Sequence, residues 1–87
     1  MDKAYVMTFI EVKNGSLKTV ETEVAENITT LTAKMKTEYN TLYDFCSLQK
    51  SAKIAVDVCA TNIEMYVNTP ENFAHYSWNI STNSVIK

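Results

Sequence analysis

The side chains best suited to chemistry are one histidine, His75, and two cysteines, Cys46 and Cys59. A cysteine activated by a nearby histidine is a common nucleophile. Here the spacing gives no reason to place His75 beside either thiol. Cys46 falls on the apolar side of a predicted helix, where a free cysteine behaves as a small hydrophobe, and Cys59 turns away from the aliphatic side of its strand. We therefore predict no catalytic residues and no enzymatic activity.

Metal and phosphate sites are not expected either. The cysteines and the histidine do not supply the four clustered ligands of a zinc site, and a chain with one glycine has no glycine-rich phosphate loop. Glu21, Glu23 and Glu26 could form a small cation site, but we favour a solvated acidic edge. A disulfide between Cys46 and Cys59 is an alternative that a cytosolic location disfavours. We predict no cofactor.

Composition narrows the classes of partner. The 87 residues carry a formal net charge of −2, and lysine supplies every basic side chain because arginine is absent. Arginine makes the bidentate contacts that nucleic-acid readers favour, so nucleic acid is not an expected partner. No stretch has the length of a membrane span or the pattern of a signal peptide. We expect a single domain, residues 1–87, in the cytoplasm.

A long helix is predicted between residues 27 and 48, which contain neither glycine nor proline. Apolar residues recur there at steps of three and four: Ile28, Leu31, Met35, Tyr39, Leu42 and Cys46. That spacing is typical of an amphipathic helix, and Asn27 is a suitable N-cap. Val20 and Val24 extend the helical spacing backwards, so a helix that begins near Leu17 is an alternative.

A β-hairpin is predicted before the helix, with strands over residues 4–13 and 16–24. Asn14-Gly15 between them is a strong hairpin signal, because both central residues of a type I′ turn need positive φ. A two-residue turn fixes the cross-strand partners as Val12–Leu17, Glu11–Lys18, Phe9–Val20, Met7–Thr22 and Tyr5–Val24. This register puts Tyr5, Met7, Phe9, Val20 and Val24 on the helix side. It leaves the other side to Val6, Thr8, Ile10, Val12, Leu17, Thr19, Glu21 and Glu23.

Three more strands are predicted after the helix, over residues 53–60, 63–68 and 75–81. A tight turn at Thr61-Asn62 would pair Val58 with Met65 and Val56 with Val67, all on one face. The order hairpin, helix, three strands predicts a two-layer α+β domain with one helix packed on a mainly antiparallel five-stranded sheet. This order resembles the β-grasp arrangement, in which strands after the helix add beside the first strand. Two separate meanders that share the helix are the alternative.

One helix covers only one side of such a sheet, so the other side is predicted to expose apolar residues. We predict an interface there, formed by Val6, Ile10, Val12, Leu17, Tyr66 and Trp78. Contiguous apolar surface on a small protein usually marks a binding site. The alternative is that these residues are scattered among threonine and glutamate and have no function.

The leading functional hypothesis is a non-enzymatic interaction protein that binds a protein partner, or a second copy of itself, through the uncovered face. Lysine without arginine, abundant asparagine and small size resemble small accessory proteins of AT-rich bacteria and their phages. That resemblance implies an inhibitor that binds a host defence system. The alternative is a binder of a small nucleotide-like ligand, with a pocket at a dimer seam near Tyr66, His75 and Trp78.

Overall fold

The structure, a computed structural model, describes residues 3–84 of the chain and the side chains of residues 4–82. The elements run in the order β1 (Lys3–Lys13), β2 (Ser16–Ala25), α1 (Ile28–Ser47), β3 (Lys53–Val58), β4 (Asn62–Asn68) and β5 (Phe73–Ser84). The strands form one five-stranded sheet, ordered β2-β1-β5-β4-β3, in which every neighbouring pair is antiparallel. The helix packs on this sheet, so the predicted α+β class is confirmed.

The last strand lies in the middle of the sheet, beside the first. β5 pairs with β1 from Lys3–Ser84 to Lys13–Ala74, along the whole length of β1. This pairing explains why β5 is longer than the predicted 75–81, because every residue of β1 offers it a partner. It also joins the hairpin to the later strands in one sheet, so the two-meander alternative is wrong.

The Asn14-Gly15 turn has positive φ at both residues, 52° and 81°, as the hairpin signal predicted. Asn14 also fixes this turn to the start of β5. Its backbone N–H donates to the carbonyl of Phe73 at 2.7 Å, and its side-chain oxygen accepts from the backbone N–H of Phe73 at 2.8 Å. The hairpin is therefore anchored at its tip by backbone and side chain together.

The predicted register of β2 is wrong beyond the first pair. Val12 lies opposite Leu17 as expected, but Glu11 lies opposite Thr19, so Lys18 is an extra residue at a β-bulge. From there the strand is shifted by one residue: Phe9 pairs with Glu21, Met7 with Glu23 and Tyr5 with Ala25. A one-residue shift exchanges the two faces of a strand. Val20 and Val24 therefore lie on the side away from the helix, while Thr19, Glu21 and Glu23 lie on the helix side.

The β3–β4 register differs from the predicted one by two residues, so each side chain stays on its predicted face of the sheet. Val58 pairs with Ile63 and Val56 with Met65. The connection is longer than the predicted two-residue turn and is closed by the backbone N–H of Cys59, which donates to the carbonyl of Asn62 at 2.7 Å. Because side chains alternate with period two, the apolar face of β4 still points at the helix.

Helix α1 begins where its cap predicts. The side-chain oxygen of Asn27 accepts from the backbone N–H of Thr29 at 2.8 Å. Leu17 lies in strand β2, which continues to Ala25, so the alternative helix start near Leu17 is wrong. The helix buries one stripe in the core of the domain. The buried side chains of that core come from α1, β1, β4 and β5: Met7, Leu31, Met35, Cys46, Ile63, Met65, Val67, Ala74, Trp78 and Ile80.

The helix crosses the sheet diagonally. Near its start Lys34 pairs with Glu23 of β2. Near its end Cys46 lines a small cavity with Val67 of β4, Tyr76 of β5 and Lys13 at the end of β1. A 20-residue helix is about 30 Å long, and sheet twist sets helix and strands at an angle. Because of this angle, the second half of α1 does not cover all of β1 and β2 on the helix side of the sheet.

We predict that Leu31→Ala destabilises the domain strongly and Leu48→Ala does not. Leu31 is fully buried in the core, while 79% of Leu48 is exposed at the helix C-terminus. Truncating a buried leucine costs about 2–5 kcal/mol, and an exposed substitution changes stability by about 0.5 kcal/mol or less. Urea unfolding followed by the fluorescence of the single tryptophan measures both. Equal unfolding midpoints for the two variants would contradict the packing described here.

Candidate functional site

The most distinctive surface is a row of aliphatic side chains on the face of the sheet away from the helix. On β1 and β2 they stand directly opposite one another as Val6–Val24, Ile10–Val20 and Val12–Leu17, with Thr8–Thr22 between the first two pairs. We call these six apolar residues the aliphatic strip. Val20, Leu17 and Val24 are 53%, 61% and 63% exposed, and the β1 members are half-buried. Within the described residues no element packs against this face.

Three rings lie together beside the aliphatic strip. Tyr66 of β4 stacks on His75 of β5 with ring centroids 4.4 Å apart and planes 1° apart, and the centroid of Phe73 is 6.5 Å from that of Tyr66. We call Tyr66, Phe73 and His75 the aromatic cluster. His75 pairs across the sheet with Val12 of the aliphatic strip, and its Nε2 lies 3.1 Å from the Glu64 carboxylate. Aliphatic and aromatic groups are thus continuous on one surface.

Trp78 does not belong to this surface, and its predicted placement there is wrong. Strand alternation turns it to the helix side, where it is 1% exposed and packs against Phe9 with ring centroids 5.0 Å apart. Its indole N–H donates to a carboxylate oxygen of Glu38 on the helix at 3.3 Å. Trp78 is therefore separated by the sheet from Tyr66 and His75. The three residues predicted to form a ligand pocket do not come together.

The potential nucleophiles and the histidine lie apart. Cys46 is buried under the helix, on the opposite side of the sheet from His75, and burial raises the pKa of its thiol. Cys59 is exposed, and its backbone N–H donates to the carbonyl of Asn62, which pairs with Asn79 of β5. Asn79 is four residues from His75 along β5, which is a distance of about 13 Å. Both thiols are free, so the two cysteines are not linked.

The three glutamates predicted to form a solvated acidic edge lie in different surroundings: Glu21 and Glu23 on β2, and Glu26 before the helix. Glu21 and Glu23 face the helix side, where Glu23 pairs with Lys34 and raises the pKa of that ammonium through their hydrogen bond. Glu26 is exposed just before the helix cap. Among residues 3–84 no three acidic, histidine or cysteine side chains gather as metal ligands. In the same residues, no helix combines the length and apolarity needed to cross a membrane.

A second surface feature, an open groove between α1 and the β1–β2 hairpin, is not predicted by any sequence pattern. Its volume is about 510 Å³, and its lining residues are Phe9, Glu21, Thr37, Glu38, Thr41, Leu42, Phe45 and Trp78. The groove exists because the helix crosses the sheet diagonally, and no local sequence pattern predicts that angle. The one available signal was Phe45, an aromatic residue beside the apolar stripe of the helix rather than on it.

Comparison of the chain with protein-family models, with curated proteins and with solved structures finds no match. Its function is therefore to be inferred from the chemistry and geometry of its own residues.

We predict that a thiol-specific alkylating reagent modifies Cys59 rapidly and Cys46 slowly in the native protein. Cys59 is exposed, whereas Cys46 reacts only when the core opens and its raised pKa further reduces the reactive thiolate. We expect at least about a 100-fold difference in rate, which corresponds to a local opening free energy of about 3 kcal/mol. Intact mass measurement after timed labelling, with a urea-unfolded control, tests this. Two equal rates, or no reactive thiol, would contradict the structure.

Proposed function

We propose that this protein is a non-enzymatic binding module that uses the helix-free face of its sheet, and that its first candidate partner is a second copy of itself. The single observation that supports this proposal is the aliphatic strip. Three directly opposed apolar pairs lie on one surface without cover from the described part of the chain. Single exposed valines and leucines are ordinary on protein surfaces. Here six aliphatic side chains are gathered as opposed pairs on one face, interrupted only by Thr8–Thr22, and apolar groups gathered in this way mark a candidate binding site.

The size of the strip fits the centre of an interface. From Val6 to Val12 it spans six residue-to-residue steps along two strands, which gives a length of about 20 Å and a width of about 10 Å, or on the order of 200 Å². Standard interfaces cover about 800 Å² on each partner, with an apolar centre and a polar rim. The strip supplies such a centre, and the polar residues of β5, β4 and β3 supply a rim.

The aromatic cluster strengthens the case for binding on this face. Tyr66 and Phe73 are both exposed, although each is large and mostly apolar. Aromatic side chains are enriched in protein interfaces because they bury much area and lose little conformational entropy. Their position next to Val12, through His75, extends the apolar surface beyond the strip.

Docking on the face is favoured over pairing at the sheet edge. β2 is an edge strand, and edges are protected by bulges, lysines and inward-pointing charges. β2 has all three, in the bulge at Lys18 and in Glu21 and Glu23 on the helix side. Antiparallel pairing of two β2 strands would bring these carboxylates close together, which is unfavourable.

A second copy is a suitable partner because the face is compatible with itself. A two-fold interface brings the same patch together from both subunits, so an apolar strip can pack on an apolar strip. On the rest of this face, strand alternation places few charged side chains, Lys53, Asp57 and Glu64, with opposite signs represented. Repulsion between two copies is therefore small. Inhibition of a host defence system stays a prediction from composition.

We predict that the chain self-associates and that the double substitution Val20→Thr with Val24→Thr weakens association at least about 10-fold. Threonine keeps the shape and strand preference of valine but would bury a hydroxyl without a partner in the interface. Each copy contributes both sites, and every 1.4 kcal/mol is about tenfold in the dissociation constant. Sedimentation equilibrium over a range of concentrations measures the effect.

Val58→Thr is the matched control, because Val58 is 54% exposed but lies on β3 at the opposite edge of the sheet. It should leave association unchanged. A wild-type chain that is monomeric up to about 1 mM, or equal weakening by the control, would contradict a second copy as the partner on this face.

The alternative of a nucleotide-like ligand at a dimer seam is not favoured by a specific observation. It keeps the stacked Tyr66 and His75 but loses Trp78, which is buried on the other side of the sheet.

A further inference from the structure

We propose a second binding site, for an organic cation with an apolar body, in the groove between α1 and the β1–β2 hairpin. This site lies on the helix side of the sheet, and it does not depend on the protein-binding face. Its occupant is inferred from the size of the groove, from its apolar lining and from the sign of the charges around it.

The groove is large enough for a small molecule, which would lie in it with one side open to solvent. Its volume of about 510 Å³ lies within the range of about 300–1,000 Å³ that is usual for such sites. Along the helix it extends from Thr37 to Phe45, which is about 12 Å at the rise of an α-helix. A ligand of one ring and a short chain fits this length.

The lining of the groove is largely apolar. Phe9 and Trp78 come from the sheet, and Leu42 and Phe45 come from the helix. Phe45 is 65% exposed although it borders this apolar surface. A bound apolar group would cover Phe45 and remove its surface from water, which is favourable.

The charges at the groove are carboxylates. Glu21 and Glu38 line it. Glu38 is oriented by the Trp78 indole N–H, at 3.3 Å, while Glu21 makes no hydrogen bond or ion pair within the described residues. Lys34, beside the groove, pairs with Glu23 and lies 3.9 Å from Glu38, and Lys13 lines a neighbouring cavity with Phe45. Because Glu23 and Lys34 offset each other, the two lining carboxylates, Glu21 and Glu38, leave the groove with a negative field that attracts a cation.

The hydroxyl groups in the groove do not offset this preference. Thr37 donates to the carbonyl of Ala33 at 3.0 Å and Thr41 donates to the carbonyl of Thr37 at 2.9 Å. Their protons are therefore used within the helix. Neither threonine hydroxyl has a proton left for an anionic ligand, whereas a ligand ammonium can donate to Glu21.

Titration of the full chain with 2-phenylethylamine tests the proposal, because the single tryptophan, Trp78, is buried directly beneath the groove and its fluorescence responds to changes there. We expect a saturable change with a dissociation constant of about 1 mM or lower, weakened by added salt. The matched anion, 3-phenylpropionate, should bind at least about 10-fold more weakly, because it places a carboxylate beside Glu21 and Glu38.

Two substitutions locate the site. Glu21→Gln should weaken amine binding at least about 10-fold, and Phe45→Ala should weaken it as well. Both side chains are exposed, so both variants should unfold at the wild-type urea concentration. Glu71→Gln is the matched control, because Glu71 is an exposed carboxylate in the β4–β5 connection, outside the groove. It should bind the amine as the wild type does.

Absence of a saturable change with the amine overturns the proposal. So does equal affinity for the amine and the anion, or equal behaviour of Glu21→Gln and Glu71→Gln. Binding of a lysine-rich peptide without binding of the amine also overturns it, because the groove would then serve a protein partner.

Discussion

One extra residue in β2, Lys18, decides which side chains of the hairpin face the helix and which face solvent. With the bulge, Glu11 meets Thr19 and accepts a hydrogen bond from its hydroxyl at 3.0 Å. Glu23 then lies on the helix side, where it pairs with Lys34. Neither contact forms in the unbulged register, since a shift of one residue turns every side chain to the other face. The exposed valines and the acidic groove are two consequences of this single shift.

The two sides of the sheet consequently differ in chemistry. The helix-free side has an aliphatic row and few charges, which suits contact with another surface of similar character. The helix side at β2 has carboxylates next to aromatic rings, because the diagonal helix does not reach over this part of the hairpin. A register without the bulge would move Val20 and Val24 under the helix and Glu21 and Glu23 outwards. That arrangement would remove both candidate sites together.

The sequence predicts the parts of this fold that local patterns control. The Asn14-Gly15 turn, the Asn27 cap, the apolar stripe of the helix and the faces of β4 all follow from spacing within one segment. The β2 register does not, because residues 16–24 alternate well enough to suit either face. The side-chain contacts that accompany the observed register involve Glu11 and Lys34, which lie elsewhere in the chain. Trp78 shares its face of β5 with Tyr76 and Ile80, and an alternating row of large, mostly apolar side chains favours the core side of a strand.

Cross-strand nuclear Overhauser effects between β1 and β2 test the central claim most directly, because they read the register without reference to binding. Effects between the backbone protons of Phe9 and Glu21, and of Met7 and Glu23, are expected from the bulged pairing. Effects that instead link Phe9 with Val20 and Met7 with Thr22 would place the valines beneath the helix. That result would contradict the exposed aliphatic strip.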